Sequence, residues 1–495
     1  MQRYEKKSYI CNIVFIREMF DSQTYKNRRA ALVEKMREQG AGGIAVFLGN
    51  VDAAMNYADN CYPFHQDSNF LYFWGIDEPG FAATINIENG RECIYADDVD
   101  IDDIIWMGPQ DSVSHKAERV GVEHCTKSED FALAVQYALE NDVPVHFLPS
   151  GRYANRLRMS GITGSPASEI YRTAPYDEGD YVHSSLELTK SVISLRLVKE
   201  DCEIEQIDKA CDLGVQMHDI GRMGCIPGAL ESDLAGAMDG FAATKGWGVS
   251  FTTILSQNGQ ILHGHDHSQV ITPGRLLLID AGLALKNYYC SDFTRTLPCG
   301  GKFTLQQREI YDIVESCNDL AFRMAAPGVA YRDVHIAVAE HMLSCLKDLG
   351  LVNGDPVEMA AEGLAGMFMP HGLGHNIGLD VHDMEDLGED LVGYDDDQKR
   401  SSQLGLGSLR MARRLVPGNV ISDEPGIYFV PALWDYFRRN GLDKGMVNFD
   451  KLEAYSGFGG IRLEDDLLIT ADGCRHLGSK RLPIKATDVE QAMKR

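Results

Sequence analysis

Seven residues in the C-terminal half of this 495-residue chain are of types that do chemistry together: Asp280, Asp292, His371, His375, His382, Glu424 and Glu464. Most stand beside apolar, strand-like runs, where several carboxylates are costly to bury unless a cation neutralises them. The set therefore points to hydrolysis at two divalent metal ions. Asp280 ends the apolar run Leu277-Leu278-Ile279, and a second run carries Ser291-Asp292-Phe293. A hairpin centred on Lys286 would set the two aspartates opposite each other, with Cβ atoms roughly 4.5–5.5 Å apart. That spacing suits two cations separated by about 3.5–4 Å. Taken alone, both would read as exposed hairpin aspartates.

Three later segments converge with them. Pro370-His371-Gly372-Leu373-Gly374-His375 has the four-residue histidine spacing of a metal-binding helix. It lacks the glutamate after the first histidine, however, and its two glycines disfavour a helix. His382 follows in Gly378-Leu379-Asp380-Val381-His382-Asp383, and Glu424 lies in Ser422-Asp423-Glu424-Pro425-Gly426-Ile427-Tyr428. In Gly460-Ile461-Arg462-Leu463-Glu464-Asp465-Asp466, strand alternation puts Arg462 and Glu464 on one face and Ile461 and Leu463 on the other. One polar face can thus point into a site.

The elements that must position these groups fall into two parts. In the first, a helix over 24–39 precedes strands at 43–48 and 70–76. A hairpin then turns at Asn89-Gly90 between 82–87 and 92–96, followed by a helix over 131–139 and a strand at 145–148. This part has no glycine-rich phosphate loop, and its His65 and Trp74 read as packing or rim residues. Residues 161–185 lapse into short polar segments broken by Gly and Pro, which places a boundary around 184–189. The expected organisation is a leader (1–19), an accessory domain (20–186) and a catalytic domain (187–495). In the second half, helices over 201–223, 231–245, 305–325 and 331–349 alternate with strands at 275–279, 288–297, 420–422, 427–430 and 460–470. Helix pairs alternating with strand pairs indicate an α+β class. The acidic stretch 383–397 reads as a solvated loop.

Composition narrows the function classes. A formal net charge of -26 argues against a nucleic-acid partner, which requires a basic surface. Twelve dispersed cysteines without a CxxC pair read as reduced thiols. No stretch has the length of apolar sequence that a membrane span needs. A cytoplasmic protein with no membrane partner is expected.

The HGLGH-to-VHD segment, the EPGIYF segment and the GIRLEDD segment, with the order Asp, Asp, His, Glu, Glu, resemble the pita-bread metallopeptidases, specifically their proline-directed branch of aminopeptidase P and prolidase. The resemblance spans about residues 194–470. Gln66-Asp67-Ser68-Asn69-Phe70-Leu71-Tyr72 and Gly75-Ile76-Asp77-Glu78-Pro79-Gly80 look like the accessory domain of the same branch. It implies an α+β pita-bread catalytic domain behind a smaller α/β accessory domain, and hydrolysis of the peptide bond before proline. It further implies that Asp280 binds one metal, His375 and Glu424 the other, and that Asp292 and Glu464 bridge both. The oxygen-rich set suits manganese, with cobalt or zinc as alternatives. Glu424 would also accept the proton of the attacking water. His371 and His382 would stabilise the oxyanion or assist the leaving proline nitrogen, and His263, following Ile261-Leu262, would contact substrate. His265 and His267 are expected to be solvated.

Arg410 looks like the arginine with which prolidases hold the substrate's terminal carboxylate, and Arg462 is a second candidate for substrate contact. The competing reading of Arg410 is a surface cation in the basic patch 410–414. The long insertion between Glu424 and Glu464 favours an Xaa-Pro dipeptidase, with an Xaa-Pro aminopeptidase acting on longer peptides as the alternative. The family often forms homodimers. Pita-bread domains also serve without metals, as enzymes or binding modules, but that reading predicts replaced ligands and all five ligand positions are filled here.

Overall fold

Five strands, β1 (Ile44–Leu48), β2 (Ala82–Asn86), β3 (Glu92–Tyr95), β4 (Cys125–Thr126) and β5 (Val145–His146), pair in the order β4-β3-β2-β1-β5. The β1-β2 and β2-β3 pairs are antiparallel, and the β1-β5 and β3-β4 pairs are parallel. These observations come from a computed structural model that describes residues 20–170 and 182–494. The expected leader 1–19 and the part of the polar lapse over 171–181 lie outside the described residues. The Asn89-Gly90 turn forms as expected, with Gly90 at φ 73.

The strand expected at 70–76 is instead the helix Ser68–Trp74. All seven residues are buried, so the run shows neither helical nor strand periodicity and pattern alone misleads. The ends decide the outcome. Asp67 accepts the Phe70 N–H at 2.9 Å as an N-cap, and Gly75 closes the helix at φ 61, where a Cβ would lie 2.3 Å from the Tyr25 ring.

The C-terminal part places β8 (Leu276–Ala281) between β7 (Ile254–Ser256) and β10 (Phe293–Pro298), all antiparallel. Beside it, β6 (Gly248–Val249) pairs with β9 (Leu283–Ala284). A second sheet orders β11 (Val420–Asp423), β14 (Asp465–Ile469) and β15 (Cys474–His476), and β12 (Gly426–Tyr428) pairs with β13 (Gly460–Arg462). The strand expected over 460–470 is therefore broken at Leu463-Glu464. Its first half joins one partner strand and its second half another. The break leaves Glu464 bridged to Thr294 of β10, which brings the two sheets together at the site. Helix pairs Asp201–Gly224 with Glu231–Lys245, and Leu305–Met324 with Tyr331–Asp348, pack against these strands in one large apolar core. The α+β expectation agrees with this alternation.

Asp383, expected in a solvated loop, is buried in a salt-bridge cluster that ties the two parts together. Its carboxylate meets Arg196 Nη2 at 2.7 Å and Lys199 Nζ at 2.8 Å, and Arg196 Nη1 also donates to Asn69 at 2.6 Å. Ser68 donates to Asp380 at 2.8 Å. The cations that bury Asp383 lie almost 190 positions away, so charge density along the sequence alone could not reveal them. Arg196→Ala leaves buried Asp383 with Lys199 as its remaining cation and is expected to lower stability by about 1–3 kcal/mol in urea unfolding.

Among the described residues no helix is long and apolar enough to cross a membrane, and the eleven described cysteines carry free thiols.

Candidate metal centre

All ten expected site residues line a single cleft of about 510 Å³: Asp280, Asp292, His371, His375, His382, Glu424 and Glu464, with His263, Arg410 and Arg462. The β8-β10 register differs from the expected one. Asp280 pairs with Thr294, and Ala281 with Phe293, so the hairpin is centred one residue later than Lys286 and Asp292 is not opposite Asp280. A shift of two positions in the pairing preserves the strand face, so the two carboxylates become diagonal neighbours on one side.

His375 supplies the clearest sign of what the cleft is built to hold. Its Nδ1 lies 3.1 Å from the Asn376 carbonyl, which can only accept, so Nδ1 carries the proton. In the neutral ring Nε2 then presents a lone pair. It lies 3.4 Å from Asp292 Oδ2 and 3.8 Å from Glu424 Oε1, both acceptors as well. These three opposed lone pairs would serve as ligands to a divalent cation. Asp292, His375 and Glu464 each offer one ligand atom, all within 4.8 Å of one another.

The carboxylates around this point are under strain. Burial, reinforced by Asp280, Asp466 and Glu424, pushes the Asp292 carboxyl well above its ordinary pKa. Burial together with Asp292 and Glu424 does the same to Glu464, and burial raises Glu424. Asp280 Oδ1 and Asp292 Oδ1 are buried without a hydrogen-bond partner. Arg462 stands most directly against this charge: it bonds Asp280 through Nη2, Tyr428 through Nη1 at 2.8 Å and Thr294 through Nε at 3.2 Å. Four carboxylates and one imidazole with unsatisfied oxygens fit divalent cations.

The histidines divide by their partners. His371 has both ring nitrogens engaged, Nδ1 with the Gly372 carbonyl at 2.7 Å and Nε2 with the Tyr428 hydroxyl at 2.9 Å. Burial, then Arg462, lowers its pKa to about 3, so the ring is neutral. His382 stacks on His375 with centroids 3.8 Å apart and bonds Glu385 through Nδ1 at 2.8 Å. His263 lines the cleft as expected; His265 also lines it and is exposed, as expected, whereas His267, expected to be solvated, is half-buried with a buried Nε2. Arg410 reaches the cleft while holding Glu385 and, at 2.9 Å, Glu389.

Sequence reasoning missed Tyr428, Thr294 and Glu385. Thr294 donates to Glu464 at 2.6 Å. The available signal was position: Thr294 and Tyr428 lie within the segments already singled out, and Glu385 is three residues after His382.

The sequence matches the family model for metallopeptidase family M24 over residues 205–471 and that for the aminopeptidase P N-terminal domain over residues 25–146. It is 29% identical to the Xaa-Pro dipeptidase of Homo sapiens over 480 residues, covering 94% of this chain and 92% of the relative. It is 30% identical to the Xaa-Pro aminopeptidase of Escherichia coli (strain K12) over 461 residues, 92% of this chain and 94% of the relative. Among solved structures, proline aminopeptidase P II from Yersinia pestis is similar with a TM-score of 0.76 at 26% identity, covering 96% of this chain and 99% of that one. The expected architecture holds: a pita-bread α+β domain behind a smaller α/β domain.

Proposed function

The chain belongs to metallopeptidase family M24, and from that premise we propose that it is an Xaa-Pro dipeptidase, cleaving the bond before a C-terminal proline with divalent metal ions. The observation that carries the metal-dependent reading is the His375 Nε2 lone pair facing the Asp292 and Glu424 carboxylates. Both curated relatives are described as Xaa-Pro peptidases, which supports a proline-containing peptide as substrate.

We assign Asp280 to one ion, His375 and Glu424 to the other, and Asp292 and Glu464 to both. The hard, oxygen-rich donors favour manganese, with cobalt or zinc able to occupy the same set. When bound, such ions lower the pKa of water and polarise a carbonyl. The chain's own residues supply the proton traffic and the orientation. Glu424, whose proton affinity burial raises, takes the proton from the attacking water at its carboxylate. The bond before proline is a tertiary amide with no N–H, so its nitrogen must gain a proton to leave. His382, at the mouth of the cleft, stabilises the oxyanion or serves that nitrogen. Tyr428 keeps His371 oriented, and Arg462 donates to Asp280 and fixes its carboxyl in place. His263 contacts the substrate, and Arg410 takes the terminal carboxylate. The accessory domain (20–186), the catalytic domain (187–495), a cytoplasmic setting and a homodimer complete the reading.

A second reading, an Xaa-Pro aminopeptidase, is favoured by one observation: Arg410 is already held by two carboxylates, which weakens its pull on a third. The two are separated by comparing an Xaa-Pro dipeptide with an Xaa-Pro-Yaa tripeptide under manganese. Dipeptidase action predicts kcat/KM at least about tenfold higher on the dipeptide, the equivalent of ~1.4 kcal/mol in the transition state. Preference for the tripeptide establishes the second reading, and turnover of neither defeats both.

A further inference from the structure

We propose that Glu385 is a positioning and specificity-determining residue that joins Arg410 to His382 and sets how the enzyme discriminates between a free carboxylate and a neutral group after proline. The proposal rests on the Xaa-Pro peptidase reading.

Glu385 divides its two oxygens between two groups of the cleft. Oε1 lies 2.8 Å from His382 Nδ1, and Oε2 accepts from Arg410 Nη1. Its side chain is only 13% exposed, while those of His382 and Arg410 are 42% and 39% exposed, so a sheltered carboxylate holds two groups that remain open to an arriving substrate. The backbone is shaped to deliver it there. Met384, immediately before, is fully buried and takes the left-handed conformation at φ 66, costly for a side chain of that kind. The buried Met384 side chain anchors the turn Glu385–Leu387 that starts at Glu385.

Two consequences follow from the geometry. First, a carboxylate acceptor at Nδ1 fixes the tautomer of the neutral His382 ring, leaving Nε2 as the nitrogen available to substrate. Second, Glu385 and Glu389 both bond the same Arg410 nitrogen, so an arriving carboxylate meets an arginine whose charge is already offset. Glu389 also bonds Arg400, at 3.0 Å, and has no bond to His382. Among the described residues, Glu385 alone bonds both Arg410 and His382.

The test measures kcat and KM of the manganese-loaded enzyme for an Xaa-Pro dipeptide and for the same dipeptide amidated at its C-terminus. Glu385→Gln is expected to raise the acid-to-amide ratio of kcat/KM about five- to tenfold, through KM for the acid, and to lower kcat on both substrates by about tenfold. Glu389→Gln is expected to raise the ratio without lowering kcat. In an Arg410→Ala background, Glu385→Gln should no longer change the ratio. Both glutamine variants conserve shape and are checked for an unchanged melting temperature. A ratio within twofold of wild type in folded Glu385→Gln overturns the specificity role, whatever Glu389→Gln does, and an unchanged kcat in Glu385→Gln overturns the positioning role. If the wild-type holoenzyme turns over neither substrate, the peptidase reading fails first and takes this proposal with it.

Discussion

His375→Ala and Asp292→Asn are each expected to lower kcat by at least about a thousandfold while leaving the metal-free protein folded. The magnitude follows from what the ions contribute: several kcal/mol of transition-state charge stabilisation, with ~4 kcal/mol corresponding to about 10³ in rate. His375 is the sole imidazole proposed as a ligand. Without it, the gap between Asp292 and Glu424 keeps only like charges around it. Asp292→Asn removes a carboxyl that burial and three other carboxyls already push toward protonation, against the weaker pull of Arg462, so the metal-free variant sheds more repulsion than attraction and keeps its shape. The measurements are kcat at saturating dipeptide, metal content per chain, and the melting temperature of the stripped protein. Either variant retaining a tenth of wild-type turnover at full metal content would sink the ligand assignment.

The reason these residues were legible from sequence is that each is tied to a local pattern. Asp280 ends an apolar run, and Arg462 and Glu464 alternate with apolar residues, so burial of the neighbours implies burial of the carboxylate. The hairpin register was harder. Pairing depends on the turn, and β9 with its following bridge moves the centre one residue along, so Asp280 meets Thr294. Even so, period-two geometry kept the two aspartates on one face, and the chemical inference survived the wrong register. The misread at 70–76 has a different origin. A segment buried on all sides carries no periodic signal, and Asp67 and Gly75, the two residues that settle it as a helix, lie at its ends.

The acidic run from Asp383 shows the limit of composition most clearly. Asp383 is buried because Arg196 and Lys199 arrive from far earlier in the chain, and Glu385 is sheltered because Arg410 arrives from 25 residues later. Charge density along the sequence reports solvation only where no such partner folds back. The neighbouring Asp390 and Asp397 are exposed, as a solvated acidic loop requires. One stretch thus holds both rim charge and site machinery.

Loading with a divalent ion is expected to raise the melting temperature, and the increment is expected to grow as pH rises from 5 to 8. At an ion concentration about 100-fold above Kd, linkage gives ~2.7 kcal/mol. That corresponds to several degrees, at roughly 2–4 °C per kcal/mol for domains of 150–250 residues. The pH dependence follows from the raised pKa values of Asp292, Glu464 and Glu424. In the folded, metal-free protein these carboxyls bind protons more tightly than in the unfolded chain, where they titrate near ~4. Their contribution to stability is complete below that value and is lost as pH climbs through the raised folded values. Ion binding needs the same groups deprotonated, so loading releases protons and strengthens with pH. Asp383 and Asp465 shift the other way, held ionised despite burial by Arg196 with Lys199 and by Arg295 with Arg481. Their effect is common to both forms and cancels in the difference. Melting temperatures of loaded and stripped protein across this range measure the increment, and calorimetry in buffers of different ionisation enthalpy counts the released protons. Asp292→Asn should flatten the dependence, because it removes one of the three carboxyls whose ionisation the folded protein resists. An increment that is constant or falls toward pH 8 would mean that the buried carboxylates are not what the ion neutralises.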